Sequence, residues 1–186
     1  MALQASRTVS ARYVTLFTTL LAHFGPQDWW PAETLEELCI GAILTQNVAW
    51  ANVEKALARL RAHGLLDLAT LAAVSPAVLG EAIRPAGYYQ VKARRLQAFA
   101  RHCVEHYAGQ VARLLDPRRP AAELREELLG IHGVGPETAD CLLVYGAGQP
   151  AFIADTYARR ILARVGLLPP DLGYEVARRQ VEAAWQ

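Results

Sequence analysis

The sequence predicts an all-α protein. Leu, Ala and Arg recur at intervals of three and four along most of the chain, strand-like alternation is scarce, and several breaks between apolar runs carry helix-terminus chemistry. With 53% hydrophobic and 20% charged residues, the 186-residue chain holds enough apolar material for a full core, which excludes intrinsic disorder. A mass of 20.4 kDa fits one large domain or two small ones.

In chain order, the periodicity predicts helices near residues 9–23, 34–45, 48–62, 67–73, 76–83, 88–106, 121–129, 136–147, 156–165 and 173–185. Ser75-Pro76 sets a capping hydroxyl before a first-turn proline. Gly64 and Gly109 follow helices where a left-handed terminus is expected. Arg84-Pro85-Ala86-Gly87 reads as a turn, and Pro117 and Pro120 bound a loop containing Arg118 and Arg119. No internal repeat, low-complexity tract or flexible linker interrupts this pattern, so any division into lobes must come from topology.

Nineteen basic and eighteen acidic residues leave a net charge of +1, so no global field draws the protein to nucleic acid or membrane. Seventeen of the basic residues are Arg; the lysines are Lys55 and Lys92. Cys39, Cys103 and Cys141 form no CxxC pair and are odd in number, which argues against a secreted disulfide framework. Each reads as a small buried apolar residue. No apolar run reaches membrane-spanning length and the first twenty residues lack a signal-peptide pattern, so a soluble, cytoplasmic protein is expected.

The segment Ile131-His132-Gly133-Val134-Gly135, followed by Pro136, is the most informative. A helix ending at Gly130, a tight turn and a new helix from Pro136 would aim backbone N–H groups and a positive helix terminus at an anion such as a DNA phosphate. An ordinary helix connection with two glycines would look the same. Further on, Asp155 stands where the apolar stretch through Phe152-Ile153-Ala154 meets a new helix. It reads either as a helix N-cap or as a carboxylate able to stabilise an oxocarbenium-like sugar or orient water.

Gly-Val-Gly-Pro-Glu-Thr-Ala-Asp, followed by Ala-Asp-Thr-Tyr-Ala-Arg-Arg, resembles the helix-hairpin-helix DNA glycosylase superfamily that includes endonuclease III. The resemblance extends to Gly41-Ala-Ile-Leu-Thr-Gln-Asn47 and to Arg84 through Leu96, and spans roughly residues 28–166. It implies a two-lobed fold with its active site in the cleft between lobes. Residues 28–147 would form a central bundle ending in the hairpin, and residues 1–27 with 148–186 a second lobe carrying Asp155. It makes Asp155 the catalytic carboxylate and residues 131–135 the DNA-phosphate hairpin, where an alkali cation would bind.

Two departures narrow the implied chemistry. The family's bifunctional members form a Schiff base through a lysine at the position of Glu137, 18 residues before Asp155. A carboxylate cannot form an imine, and Lys92 matches a surface lysine of the family, so a lysine-dependent lyase step is not expected. Endonuclease III also carries a four-cysteine iron–sulfur site near its C-terminus, which three scattered cysteines cannot supply. No cofactor is therefore expected beyond the cation, and no catalytic metal.

Trp29-Trp30-Pro31 and Trp50, together with Leu-Thr-Gln-Asn and Glu137, resemble the endonuclease III-like 3-methyladenine glycosylase branch. The resemblance places Trp29, Trp30, Pro31 and Trp50 around a flipped base; alone, adjacent tryptophans read equally as core or interface anchors. Gln46 or Asn47 would fill the gap left by that base, or cap the next helix. Glu137 would line the cleft or simply favour the helix dipole. His102 and His106, four apart, could share a metal but read as an ordinary surface pair. Arg94-Arg95 and Arg118-Arg119 read as solvated faces within reach of phosphate.

The expected function is a monofunctional glycosylase that removes an N-alkylated purine from double-stranded DNA in base excision repair, acting as a monomer. The alternatives are an endonuclease III-like enzyme for oxidised pyrimidines or mismatches, a non-catalytic hairpin DNA-binding module, and a helical interaction protein.

Overall fold

The computed structural model describes residues 2–27 and 29–185, with side chains from residue 10 onward; Asp28, which opens the Asp-Trp-Trp-Pro stretch, lies outside the described residues. The regular elements of the described residues are all helices, with no strand among them. They fall into two compact units, one of residues up to Trp29 together with those from Ala151 onward, the other Trp30–Pro150.

The larger unit is built around α2 (Leu35–Leu44), whose Leu38, Cys39, Ile40, Ile43 and Leu44 are all buried. A helix apolar on every side belongs inside a core. Its start is capped by Thr34, whose hydroxyl accepts the Glu37 N–H at 3.1 Å, while buried Glu37 accepts the Glu33 N–H and an Arg61 guanidinium N–H at 2.8 Å. Around it lie α3 (Trp50–Ala62), α4 (Leu68–Ala73), α5 (Pro76–Ala82), capped by Ser75 as its sequence predicts, and a 3₁₀ turn at Arg84–Ala86. The long α6 (Tyr89–Tyr107) packs Ala93, Leu96, Phe99, Ala100 and Cys103 inward. A short α7 (Val111–Leu114) had no periodic signal, being a single turn. The hairpin follows, formed by α8 (Ala121–Gly130) and α9 (Pro136–Cys141).

Two expectations need correction here. The helix expected over 136–147 changes pitch at Leu142, where the Ala147 N–H bonds to the Leu142 carbonyl five residues back. This π turn brings Gly146 against α7, where a Cβ would stand 2.7 Å from Leu115 Cδ1. Lys92, read as a surface lysine, is instead 2% exposed; its Nζ donates to the Leu44 carbonyl at 2.8 Å and to the Ala86 carbonyl at 2.7 Å. Burial, with Arg95 nearby, pushes this ammonium down to about 8.

The smaller unit packs α1 (Ala2–Phe24), α10 (Thr156–Arg164) and α11 (Tyr174–Trp185) around Tyr13, Ala154, Leu162, Leu168, Ala177 and Val181. Arg12 and Tyr13 of α1 donate to the Val165 and Leu167 carbonyls at the end of α10. Among the described residues, no helix is long and apolar enough to cross a membrane.

Candidate active site and DNA interface

The hairpin is locked from within. Asp140 on α9 is fully buried and accepts the Arg125 Nε–H of α8 at 2.6 Å and an Nη2–H at 3.2 Å, tying the two arms together. The turn between them closes through the Val134 N–H on the Ile131 carbonyl, with both apolar side chains buried and His132 exposed. The two glycines are not equivalent. Gly133 adopts φ +89°, whereas Gly135 is extended at φ −91° and N-caps α9.

Gly133 also rests on Arg95 of α6, whose Cβ and Cδ would lie 2.7 and 2.8 Å from an added methyl group. Arg95 is thus no solvated residue, in contrast to exposed Arg94. Its Nη1 donates to Gln46 Oε1, and the Gln46 amide donates in turn to the Gly133 carbonyl at 3.1 Å and to Thr138 Oγ1 at 3.0 Å. Gln46 is therefore engaged on the hairpin. Asn47 stays exposed at φ +55°, a conformation asparagine tolerates.

Trp30 and Trp50 meet edge to face, with ring centroids 5.6 Å apart. Tyr145, on the π turn, lies 5.2 Å from Trp30 at 34° and was not anticipated. Gly41 of α2 backs the pair, since a Cβ there would touch Trp50 at 3.7 Å and Trp30 at 3.8 Å. The Trp50 indole donates to Glu54 at 3.0 Å, while the buried Trp30 N–H lacks an acceptor. Pro31 is exposed, and Trp29, 61% exposed, belongs to the other unit. Glu137 is exposed in the first turn of α9.

Asp155 is the N-cap of α10, its Oδ1 accepting the Ala158 N–H at 2.6 Å. The capping and functional readings are compatible, because the cap engages one carboxylate oxygen. Arg159 braces the same residue: its Nε donates to the Asp155 carbonyl at 3.3 Å and its Nη1 to Leu172 at 2.7 Å.

The remaining polar candidates are structural. His102 contacts Glu127 at 2.8 Å, and Glu127 also accepts from Tyr107 and from Arg119, so His102 and Arg119 belong to a half-buried network rather than to a solvated face. Arg118 pairs with Asp116 at the surface, holding that carboxyl down to about 2. No group of three His, Cys, Asp or Glu among the described residues is placed to hold a metal. Cys39 and Cys103 are buried, and burial pushes the Cys103 thiol up to about 12.

Residues 40–186 match the model of the HhH-GPD superfamily of base excision DNA repair proteins. The chain is 41% identical over 160 residues to a protein of Methanocaldococcus jannaschii named "Putative DNA repair glycosylase", covering 86% of this chain and 72% of that one. It is 35% identical over 127 residues to endonuclease III of Thermotoga maritima, covering 68% of this chain and 54% of that one. Among solved structures, the 3-methyladenine DNA glycosylase of Helicobacter pylori bound to 1,N6-ethenoadenine aligns with a TM-score of 0.76 at 26% identity, over 96% of this chain and 81% of that one. An endonuclease III–DNA complex aligns at 0.78 and 24% identity over 92% and 76%, a likeness of fold. The chain belongs to the HhH-GPD superfamily of base excision DNA repair proteins and is a DNA glycosylase.

Proposed function

We propose that this glycosylase is monofunctional and removes an N-alkylated purine of the 3-methyladenine kind from double-stranded DNA. The observation that carries the substrate class is the Trp30–Trp50–Tyr145 cluster. Alkylation leaves the purine positively charged, and aromatic faces attract such a cation by about 0.5–2 kcal/mol per ring. The likeness to the Helicobacter pylori structure supports the same reading.

The charge that binds the base also weakens its bond to the sugar. As the C1′–N bond breaks, its electron pair neutralises the purine, so no general acid is required. Asp155 then stabilises the oxocarbenium-like sugar and orients a water whose oxygen attacks C1′. The water's proton passes to the carboxylate and on to solvent. Glu137 replaces the amine that a lyase would need, and Lys92, although its ammonium loses a proton more readily than an ordinary lysine, is enclosed by two carbonyls.

The hairpin would hold the DNA backbone through the N–H groups around Gly133 and Gly135. A monovalent cation there would draw on the second lone pairs of the Ile131 and Gly133 carbonyls, each of which already accepts one hydrogen bond. We further propose that the enzyme acts as a monomer in the cytoplasm.

The test is base release from methylated DNA by wild type and Asp155→Asn, with borohydride added in parallel. Release of 3-methyladenine that collapses in the variant, without a trapped adduct, is the expected result. A covalent adduct would overturn the monofunctional reading. Activity on oxidised pyrimidines instead would support the alternative favoured by the endonuclease III of Thermotoga maritima as a relative. Binding without any base release would leave a DNA-binding module.

A further inference from the structure

We infer that Gln46 and Arg95 form a clasp that fixes the loop carrying Asn47 to the DNA-binding hairpin, so that gap filling and backbone capture act as one rigid element. This rests on the proposed reading of the hairpin and deepens it, by moving Gln46 from an inserting residue to a positioning residue.

Four observations converge. Gln46 donates through its amide nitrogen, across 87 and 92 residues of sequence, to the Gly133 carbonyl and to Thr138 Oγ1. Its carbonyl oxygen is taken by Arg95, whose stem fills the space under Gly133 that a side chain would need. Thr138 is 6% exposed, so its hydroxyl is a fixed partner rather than a solvent-facing one. Lys92, three residues before Arg95 on α6, holds the other end of the loop by donating to the Leu44 carbonyl. Directly after these anchors Asn47 stands exposed, at φ +55°. A side-chain amide fully engaged in this way orders its loop before DNA arrives, so the ordering entropy is not lost on binding.

A direct role for Arg95 on phosphate makes a different prediction, because it would act independently of Gln46 and carry its own salt dependence. Binding is therefore measured for an undamaged duplex and for a duplex with a tetrahydrofuran abasic analogue, across a salt series. The proteins are wild type, Gln46→Ala, Arg95→Met, the double variant and Asn47→Gly. Arg95→Met keeps the stem beneath Gly133, and Asn47→Gly keeps the backbone conformation, so each removes one function without forcing a refolded loop.

The clasp predicts that Gln46→Ala and Arg95→Met weaken both duplexes equally, by about tenfold. The double variant is no weaker than either single one, and the slope of affinity on salt is unchanged. Asn47→Gly loses affinity for the abasic duplex only. Thermal unfolding of each variant confirms that a folded protein is compared. If Gln46→Ala affects the abasic duplex alone, it inserts and the clasp is wrong. If the two losses multiply, or Arg95→Met lowers the salt slope by about one, Arg95 contacts phosphate directly and the inference also fails. A wild-type protein that binds neither duplex overturns the DNA-binding reading itself, which is a separate result.

Discussion

Replacing Gly133 by alanine and Gly135 by alanine should have opposite consequences for the fold. At Gly133 the backbone is left-handed, φ +89°, and a non-glycine residue held there costs about 1–3 kcal/mol. The added methyl would also overlap the Arg95 stem, with Cβ and Cδ at 2.7 and 2.8 Å, a degree of overpacking that costs about 1–3 kcal/mol. Together Gly133→Ala should lose about 2–6 kcal/mol, which for a chain of this length lowers the melting temperature by roughly 4–24 °C. Gly135 is extended and has nothing within 4 Å of an added Cβ. Gly135→Ala should therefore be neutral or stabilise by up to about 1 kcal/mol, through the unfolded chain. Urea and thermal unfolding of both variants measure this contrast. Adding Arg95→Ala to Gly133→Ala should recover the overlap but not the backbone strain. If the two alanine variants prove equally stable, the assignment of Gly133 as the conformationally required glycine is wrong. If Arg95→Ala recovers nothing, the overlap is not the source of the loss.

The other predictions concern single side chains. Asp155→Asn should abolish base release yet hold stability within about 0.5 kcal/mol, since asparagine caps as well as aspartate, whereas Asp155→Ala should also lose about 1 kcal/mol; activity and urea midpoints of the pair separate the two roles. Lys92 is held down to about 8 by burial, below the 10.5 of an unfolded lysine. Its linkage contribution is thus present above 10.5 and lost as pH falls through about 8, so wild-type stability relative to Lys92→Met should rise by about 1–3 kcal/mol from pH 7 to pH 10. A flat difference in urea unfolding would show that the ammonium is not desolvated. Glu137→Lys should yield a borohydride-trappable adduct on lesion DNA where wild type yields none. It should cost about 0.3–1 kcal/mol through the helix dipole. An untrappable variant that still releases base would mean that residue 137 does not reach the sugar.

What the sequence disclosed was local chemistry. Ser75 before Pro76, the positive-φ positions at Gly64 and Gly109, and the arms of the hairpin meeting at Gly130 and Pro136 all depend on residues within one turn of each other. What it concealed was partnership across distance. Nothing near Lys92 shows that carbonyls 48 and 6 residues away await its ammonium, so the charge alone suggested a surface site. Gln46 carried the same ambiguity, because an amide that inserts and an amide that clasps have one composition. Arg119 looked solvated beside Arg118, yet Glu127 on the next helix takes it into a half-buried network. Tyr145 was missed for another reason. The helical period continues through it, while the change of pitch at Leu142 that turns it toward Trp30 depends on packing at Gly146.

A net charge of +1 sets the terms on which such an enzyme can select its base. On the proposed reading, affinity for undamaged DNA rests on local contacts such as the backbone groups of the hairpin and stays modest. Extruding a nucleotide costs a few kcal/mol whichever base it carries. Stacking on aromatic rings returns about 1–3 kcal/mol to any base, which roughly balances that cost and discriminates little. On the proposed reading, discrimination comes from the cation–π increment that a positively charged purine alone receives from Trp30, Trp50 and Tyr145. Replacing Trp50 by leucine keeps the apolar bulk and removes the π face. It should therefore reduce release of 3-methyladenine far more than release of neutral 1,N6-ethenoadenine. Equal loss on both bases would mean that the ring acts through shape, and the argument from charge would have to be abandoned.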